Sequence, residues 1–298
     1  MSSFIGDPRR QGLNSVGLAA TVSIMVAAFV RLFLCLSLLG FAAGQVEADV
    51  VPERTSGWKK YEFSGKPLNG LRVALDVGHS RLSPGATSAR GRGEFLFNLE
   101  TTRVISTVLK KAGAHVILIN GDGAIKGLPE RAEVAEREKA ECFIAIHHDA
   151  VNDKYLKTWI HEGVEREYAD DFRGYGVFTS SLNPQAEVSQ RLARAVGAAM
   201  LESGLTPALH HAEPIKGENR PLLDERTGVY EFTDLVVLKA AKMPAILLEC
   251  GVILHREEEL LVQDPAYQDL IAHAVVKALE ATFPRKRAKG LFNLFGRD

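Results

Sequence analysis

Four residues of this 298-residue chain have the types and placement for metal-assisted hydrolysis: His79, Glu94, His147 and Glu249. His79 follows Gly78 at the end of the apolar run Leu71–Val77, and Glu94 opens a helical pattern after a glycine-rich stretch. His147 ends the run Ile144–Ile146, and Glu249 ends Ala245–Leu248. Two imidazoles and one carboxylate, His79, His147 and Glu94, match the ligand set of a catalytic zinc ion, which keeps its fourth position for water. Glu249 is then the base for that water. Each residue alone has a plain structural explanation. His79 could cap a turn, Glu94 sits where the helix macrodipole favours an acid in any case, and His147 could be a satisfied core histidine. Their joint arrival at element ends is the argument for a site. Glu249 closes an otherwise apolar strand, where an unpaired carboxylate is expensive to bury, so it requires a partner.

These side chains need a scaffold that brings strand ends together. Leu99, Thr102, Ile105, Val108, Leu109 and Ala112 recur at helical spacing before Gly113, which predicts a helix over Glu94–Ala112. Val116–Ile119 and Cys142–Ile146 read as strands, with a short helix carrying Leu128, Ala132 and Ala135 between them. Alternation of apolar strands with helices predicts a single α/β domain. Its mostly parallel central sheet is flanked by helices on both faces, with the zinc site at the carboxyl edge of the strands. Further along, Val177–Ser180 reads as a strand, Pro184–Ser203 as a helix, Asp234–Leu238 and Ala245–Leu248 as strands, and Ala266–Phe283 as a closing helix. Thr206–Gly228 is polar and loop-like, and its His210-His211 reads as an ordinary exposed pair, with substrate contact the minority alternative.

An insertion at about 152–175 directly follows His147 and carries Tyr155, Trp159, Tyr168 and Phe172 among many charges. It reads as a loop or helical excursion, either a lid over the site or a solvated appendage. Arg131 is expected to support the fold beneath the site. Asp149 either orients a ligand or fixes a turn, and His148 packs on the opposite face from His147.

With 46% hydrophobic residues and a net charge of −1, the chain can bury one substantial core and offers no basic, aromatic-studded face for nucleic acid. Residues 1–48 read as an export signal: Gly17–Ala43 is almost wholly apolar apart from Arg31, and small residues follow at Ala42, Ala43, Gly44 and Ala48. Met25 offers an alternative start, with Arg31 as the charged end, Leu32–Phe41 as the apolar stretch and Val46-Glu-Ala48 as a cleavage site. A retained signal anchor is the competing reading, at the cost of Arg31 in mid-membrane. Residues 49–69 read as a linker and 285–298 as a basic, then apolar tail, so membrane contact is confined to the signal or this tail. Cys142 begins its strand and Cys250 ends its own, which separates the sulfurs by about 15–20 Å and predicts two buried free thiols.

The same residues carry a family resemblance. The motifs are Asp76-Val-Gly-His79, Pro84-Gly-Ala86, Gly93-Glu94 with Asn98-Leu99, Arg131 with Ala132 and Ala135, Ile144-Ala-Ile-His147-His-Asp149-Ala150, and Pro244-Ala-Ile-Leu-Leu-Glu249-Cys-Gly251. They fall in the order seen in zinc-dependent N-acetylmuramoyl-L-alanine amidases, and the chain resembles that family across a catalytic domain of residues 70–284. Val77, His148, Glu136 and Val252 stand where the family usually has proline, a small residue, asparagine and an aromatic, and none of these removes a proposed ligand or base. The resemblance implies one zinc ion per chain, peptidoglycan as substrate, and hydrolysis of the amide between N-acetylmuramic acid and L-alanine. It also implies a protein activator that relieves a lid, because some related amidases carry an inserted helix that blocks the zinc. An exported enzyme without wall-binding repeats suits the periplasm, with extracellular release or anchoring by the signal as alternatives. The alternative functions are a zinc peptidase or deacylase acting on another exported amide, or a catalytically silent wall-binding or regulatory domain.

Overall fold

Apolar runs too short for helices become the middle of the sheet, because helices shield both of their faces. In the computed structural model, which describes residues 57–285, the elements are β1 (Arg72–Val77), α1 (Glu94–Lys111), β2 (His115–Ile119), α2 (Leu128–Arg137), β3 (Cys142–Asp149), β4 (Lys157–His161), β5 (Val164–Tyr168), β6 (Gly176–Thr179), α3 (Ala186–Glu202), β7 (Leu222–Asp224), β8 (Val229–Glu231), α4 (Val236–Ala240), β9 (Ala245–Val252), α5 (Arg256–Leu261) and α6 (Pro265–Thr282). Seven strands form one sheet in the order β2-β1-β3-β9-β6-β8-β7. The pairs β1/β2, β1/β3, β3/β9 and β6/β8 are parallel, whereas β6/β9 and β7/β8 are antiparallel. The predicted single α/β domain with a mostly parallel sheet is therefore what forms.

Alternate residues of each central strand enter different layers, as the period of two requires. Val73, Leu75, Ile144, Ile146, Ile246 and Leu248 pack with Ile105, Val196 and Val275 of α1, α3 and α6. Ala74, Phe143, Ala145, Ala245 and Leu247 pack with Ala132, Ala135 and Leu238 of α2 and α4. Each fully buried Leu, Ile or Phe contributes about 1.5–3 kcal/mol through removal from water. The strand carboxyl ends of β1, β3 and β9 lie side by side at one edge, where His79, His147 and Glu249 are found. Helix α6 starts at a proline with Asp264 Oδ1 accepting from the Ala266 amide at 2.8 Å, so its boundary is written in local chemistry.

Several expectations are corrected. The segment after His147, read as a loop or helical excursion, instead makes one short 3-10 turn at Asp153–Tyr155 and then an antiparallel hairpin of β4 and β5, turned by Glu162 and Gly163 at φ 50° and 77°. Both central residues at positive φ make the turn that matches strand twist. Trp159 docks this hairpin by donating its indole N–H to the Ala89 carbonyl at 3.0 Å, with the Arg90 and Arg256 guanidinium groups at 5.4 and 5.1 Å from its ring centre. Asp234–Leu238 gives no strand; α4 covers Val236–Ala240, and the outer strands come instead from β7 and β8, partly inside the stretch read as loop. Such three-residue strands are too short for a periodic signal.

The predicted linker, within the described residues, is part of the packed domain. Leu68 is fully buried, Trp58, Tyr61 and Phe63 pack on the core, and Tyr61 donates to Glu280 at 2.5 Å. Cys142 and Cys250 are buried free thiols, as expected. The export-signal reading, residues 49–56 and the tail from 286 onward lie outside the described residues. Among the described residues no helix is long and apolar enough to cross a membrane.

Candidate active site

His79 stands one residue past Gly78, beyond the end of β1, with φ at 63°, a conformation that costs a non-glycine residue about 1–3 kcal/mol unless its surroundings impose it. They do. The Arg131 guanidinium, buried under the site, donates to the His79 carbonyl at 2.5 Å, to the Val77 carbonyl at 2.7 Å and to the Ile125 carbonyl at 2.9 Å. Asn120 donates to the same Val77 and His79 carbonyls at 2.8 and 2.7 Å. Arg131 also pairs with Asp76 at 3.2 Å. Burial outweighs that partner and pushes the Asp76 carboxyl up to about 7. Arg131 thus supports the fold beneath the site, and specifically fixes the backbone that aims His79.

Glu94 begins α1 after an uncapped Gly93, and its carboxylate is the hub of the site. Oε2 lies 2.9 Å from His79 Nε2 and accepts from the Ala86 amide at 3.1 Å; Oε1 lies 3.0 Å from His147 Nδ1 and accepts from Asn98 Nδ2 at 3.0 Å. Burial opposes ionisation of Glu94, yet the hydrogen bonds and charges of His147 and His79 hold its carboxyl well below the usual range. The donor atoms of His79, Glu94 and His147 all lie within 4.8 Å of one another. Two glycines make room for them. A Cβ on Gly78 would fall 2.6 Å from His147 Cδ2, and one on Gly85 would fall 2.6 Å from His79 Cδ2 and nearer still to Glu94 Oε2.

Behind Glu94 lies a relay. His148 Nδ1–H donates to Asn98 Oδ1 at 2.8 Å, and the Asn98 amide then donates onward to Glu94. Burial pushes His148 down to about 3, so its ring stays neutral. His148 is therefore buried and packed, as expected, but also fixes the Asn98 amide orientation. That role has no signature in sequence.

Glu249 faces His147 across the β3/β9 register, just before the pairing shifts between His147 and Asp149. Its Oε2 is shielded from solvent and has no hydrogen-bond partner. Burial first, then the charges of Asp149 and Glu94, raise its pKa well above the usual carboxyl value, with His211 acting in the other direction. Glu249 lines a cavity of about 210 Å³ together with Phe178, Leu247, His211, Glu218 and Arg220. The predicted site residues are thus gathered at one sheet edge: a compact His79/Glu94/His147 cluster, with Glu249 on the strand adjoining His147.

The His pair of the long loop contradicts its expectation. His210 is 5% exposed, and His211 Nε2 lies 2.8 Å from Asp149 Oδ2 while its Nδ1 lies 2.8 Å from Glu218 Oε2. Burial opposes the charge on His211, but Asp149 and Glu218 outweigh it and raise it to about 10. Asp149 neither fixes a turn nor touches the first cluster; it anchors the loop. The only trace in the sequence is the His-His dipeptide itself.

A family model described as N-acetylmuramoyl-L-alanine amidase matches residues 73–281. The chain is 24% identical over 223 residues to a probable cell wall amidase, LytH, of Staphylococcus epidermidis, covering 74% of this chain and 61% of that protein. In fold it is similar to the N-acetylmuramyl-L-alanine amidase Ami1 of Mycobacterium smegmatis, with a TM-score of 0.57 at 21% identity over 72% of this chain and 97% of that one. It is also similar to the CwlD amidase of Clostridioides difficile, solved in complex with the GerS lipoprotein, with a TM-score of 0.53 at 21% identity over 72% of this chain and 98% of that one. With its family model spanning β1 to the last turn of α6, this chain belongs to the N-acetylmuramoyl-L-alanine amidase family.

Proposed function

We infer that the protein is a zinc-dependent N-acetylmuramoyl-L-alanine amidase, cleaving the amide between N-acetylmuramic acid and L-alanine of peptidoglycan. The observation that carries the reading is the convergence of His79 Nε2, His147 Nδ1 and the Glu94 carboxylate, with Glu249 beside them. The residues fit zinc on their own chemistry. Two imidazole nitrogens and one carboxylate are the donor types and number of a catalytic zinc site. Glu94 is held ionised between the rings, and Gly78 and Gly85 leave the space that a Cβ would fill. When bound, zinc supplies a Lewis acid that polarises the scissile carbonyl and acidifies a water.

The chain's own groups do the rest. Glu249 takes the proton from the attacking water and delivers it to the leaving L-alanine nitrogen, so water adds across the amide and an acid and an amine result. Its burial favours holding the proton between the two steps, and a cation at the His79/Glu94/His147 cluster would favour the ionised form that the first step needs. Asn98 and the Ala86 amide keep Glu94 oriented, and Arg131 keeps His79 aimed. The cavity beside Glu249, with Arg220 and His211 on its wall, is the place for the acyl or peptide flank of the substrate.

Export, with the periplasm as the working compartment, is part of this proposal, supported by the apolar N-terminal stretch. A protein activator remains part of it too, supported by the lipoprotein complex of the CwlD neighbour. Trp159 and its arginines fasten the hairpin to the 88–92 segment, so we place the activator's action on that docked hairpin.

The test is to incubate the purified protein with intact peptidoglycan, with and without a zinc chelator, and identify released fragments by mass spectrometry. Free stem peptides beginning at L-alanine, abolished by chelation and restored by zinc, are expected. Cleavage at another amide would instead indicate a peptidase or deacylase. Zinc bound stoichiometrically with no release, even after deletion of residues 157–168, would overturn the amidase reading.

A further inference from the structure

The loop that carries His210 and His211 ends in a second convergence of ligand-type atoms, separate from the His79/Glu94/His147 cluster. Asp149, His210 and His211 have donor atoms within 4.8 Å of one another. His211 Nε2 and His210 Nε2 both face Asp149 Oδ2, at 2.8 and 3.3 Å. The two imidazoles lie against each other with ring centres 4.1 Å apart and planes tilted by 38°. His210 is 5% exposed; its Nε2 meets Asp149 Oδ2 only through the 3.3 Å contact, off good hydrogen-bond geometry, and its Nδ1 has no hydrogen-bond partner. A buried imidazole nitrogen without a well-made hydrogen bond is costly. A cation between the two Nε2 atoms and Asp149 Oδ2 would replace that poorly aligned contact with a ligand bond.

We propose that Asp149, His210 and His211 form a second metal site, one that takes a divalent transition metal through two imidazole nitrogens and a carboxylate. Two histidines and one carboxylate suit zinc, cobalt or iron, and disfavour calcium or magnesium, which demand oxygen ligands. Glu218 completes the arrangement from behind. Its carboxylate lies 2.8 Å from His211 Nδ1, where it fixes the ring and tautomer and strengthens Nε2 as a donor. Metal at this site replaces the Nε2 proton that His211 otherwise shares with Asp149.

The route in is visible, because His211 and Glu218 line the same cavity as Glu249. The site therefore joins the 209–220 loop to β3 next to the proposed catalytic base. The first ligand cluster and the second share β3, with His147 and Asp149 two residues apart where its register with β9 shifts.

The experiment is cobalt(II) equilibrium dialysis of chelator-stripped protein, with metal per chain read by elemental analysis. Wild type should hold one ion at each of the two clusters. His211→Gln, which can still bond Asp149 and Glu218 and so keep the loop folded, should hold one. His79→Ala should also hold one, and the double variant none. Glu218→Gln should retain both ions but weaken one by about 10–100-fold. Circular dichroism confirms that each variant is folded, and the Glu218→Gln titration decides if a histidine variant is not. A single ion in wild type that His79→Ala removes and His211→Gln spares would overturn this proposal and leave the first site standing. A single ion with the opposite dependence would uphold the second site and count against the first. Two ions retained by His211→Gln would also overturn it.

Discussion

Replacing Gly85 with alanine tests whether the space beside Glu94 and His79 is what permits metal binding. Gly85 has φ of 79°, and a Cβ there would lie 2.6 Å from His79 Cδ2 against an ordinary contact of at least 3.4 Å. One of the two must retreat by about 0.8 Å, while a metal site tolerates about 0.2 Å in its ligand distances. Gly85→Ala should therefore lose zinc and at least about 10²-fold in kcat/KM, the scale set by misplacement of a reacting group by about 1 Å. The left-handed backbone adds its own penalty of about 1–2 kcal/mol, equivalent to a fall in Tm of about 2–8 °C for a domain of this size. Gly70→Ala separates the two effects. Gly70 has φ of 74° and no heavy atom within 4 Å of its Cβ position, so it carries the same strain with no collision. The assays are zinc content by elemental analysis, muropeptide release and thermal denaturation. Wild-type zinc and kcat/KM in Gly85→Ala would refute the steric argument, and equal zinc loss in both variants would assign the effect to backbone strain instead.

Glu249→Gln should keep its zinc and lose turnover, measured by metal analysis and peptide release. In the metal-free protein the same variant should be more stable at neutral pH. The folded pKa of Glu249 is raised above the unfolded value of 4.5, so wild-type stability falls as pH rises from 4.5 towards the folded pKa, and the gap between variants should close below 4.5 in urea titrations. Arg131→Met leaves Asp76 buried without its partner and should cost about 3–5 kcal/mol by chemical denaturation. It should also weaken zinc binding, because the His79 carbonyl loses a donor; unchanged zinc affinity would show that Asn120 alone holds that turn.

The candidate site was legible because each of its members sits at an element end that announces itself. Gly78 before His79, the helical spacing after Glu94, and the apolar runs before His147 and Glu249 are local patterns, and local patterns follow from backbone geometry and burial. The hairpin was less visible, although Gly163 and the alternation of half-buried Trp159 and His161 with exposed Thr158 and Ile160 mark it. Dense charge masked that alternation, since neither face of the hairpin is wholly apolar.

The sequence alone determined that strands and helices alternate around a mostly parallel sheet and that His79, Glu94, His147 and Glu249 stand at the ends of its elements. Only the tertiary structure decided that Arg131 and Asn120 hold His79 in a left-handed turn, and that His148 orients Glu94 through Asn98. It also decided that His211 crosses 62 positions to reach Asp149. The reason is physical: periodicity records the face each residue turns to the core, whereas the partner of a polar side chain depends on where a loop returns. That return is set by packing summed over the whole domain and leaves no periodic trace in the loop itself.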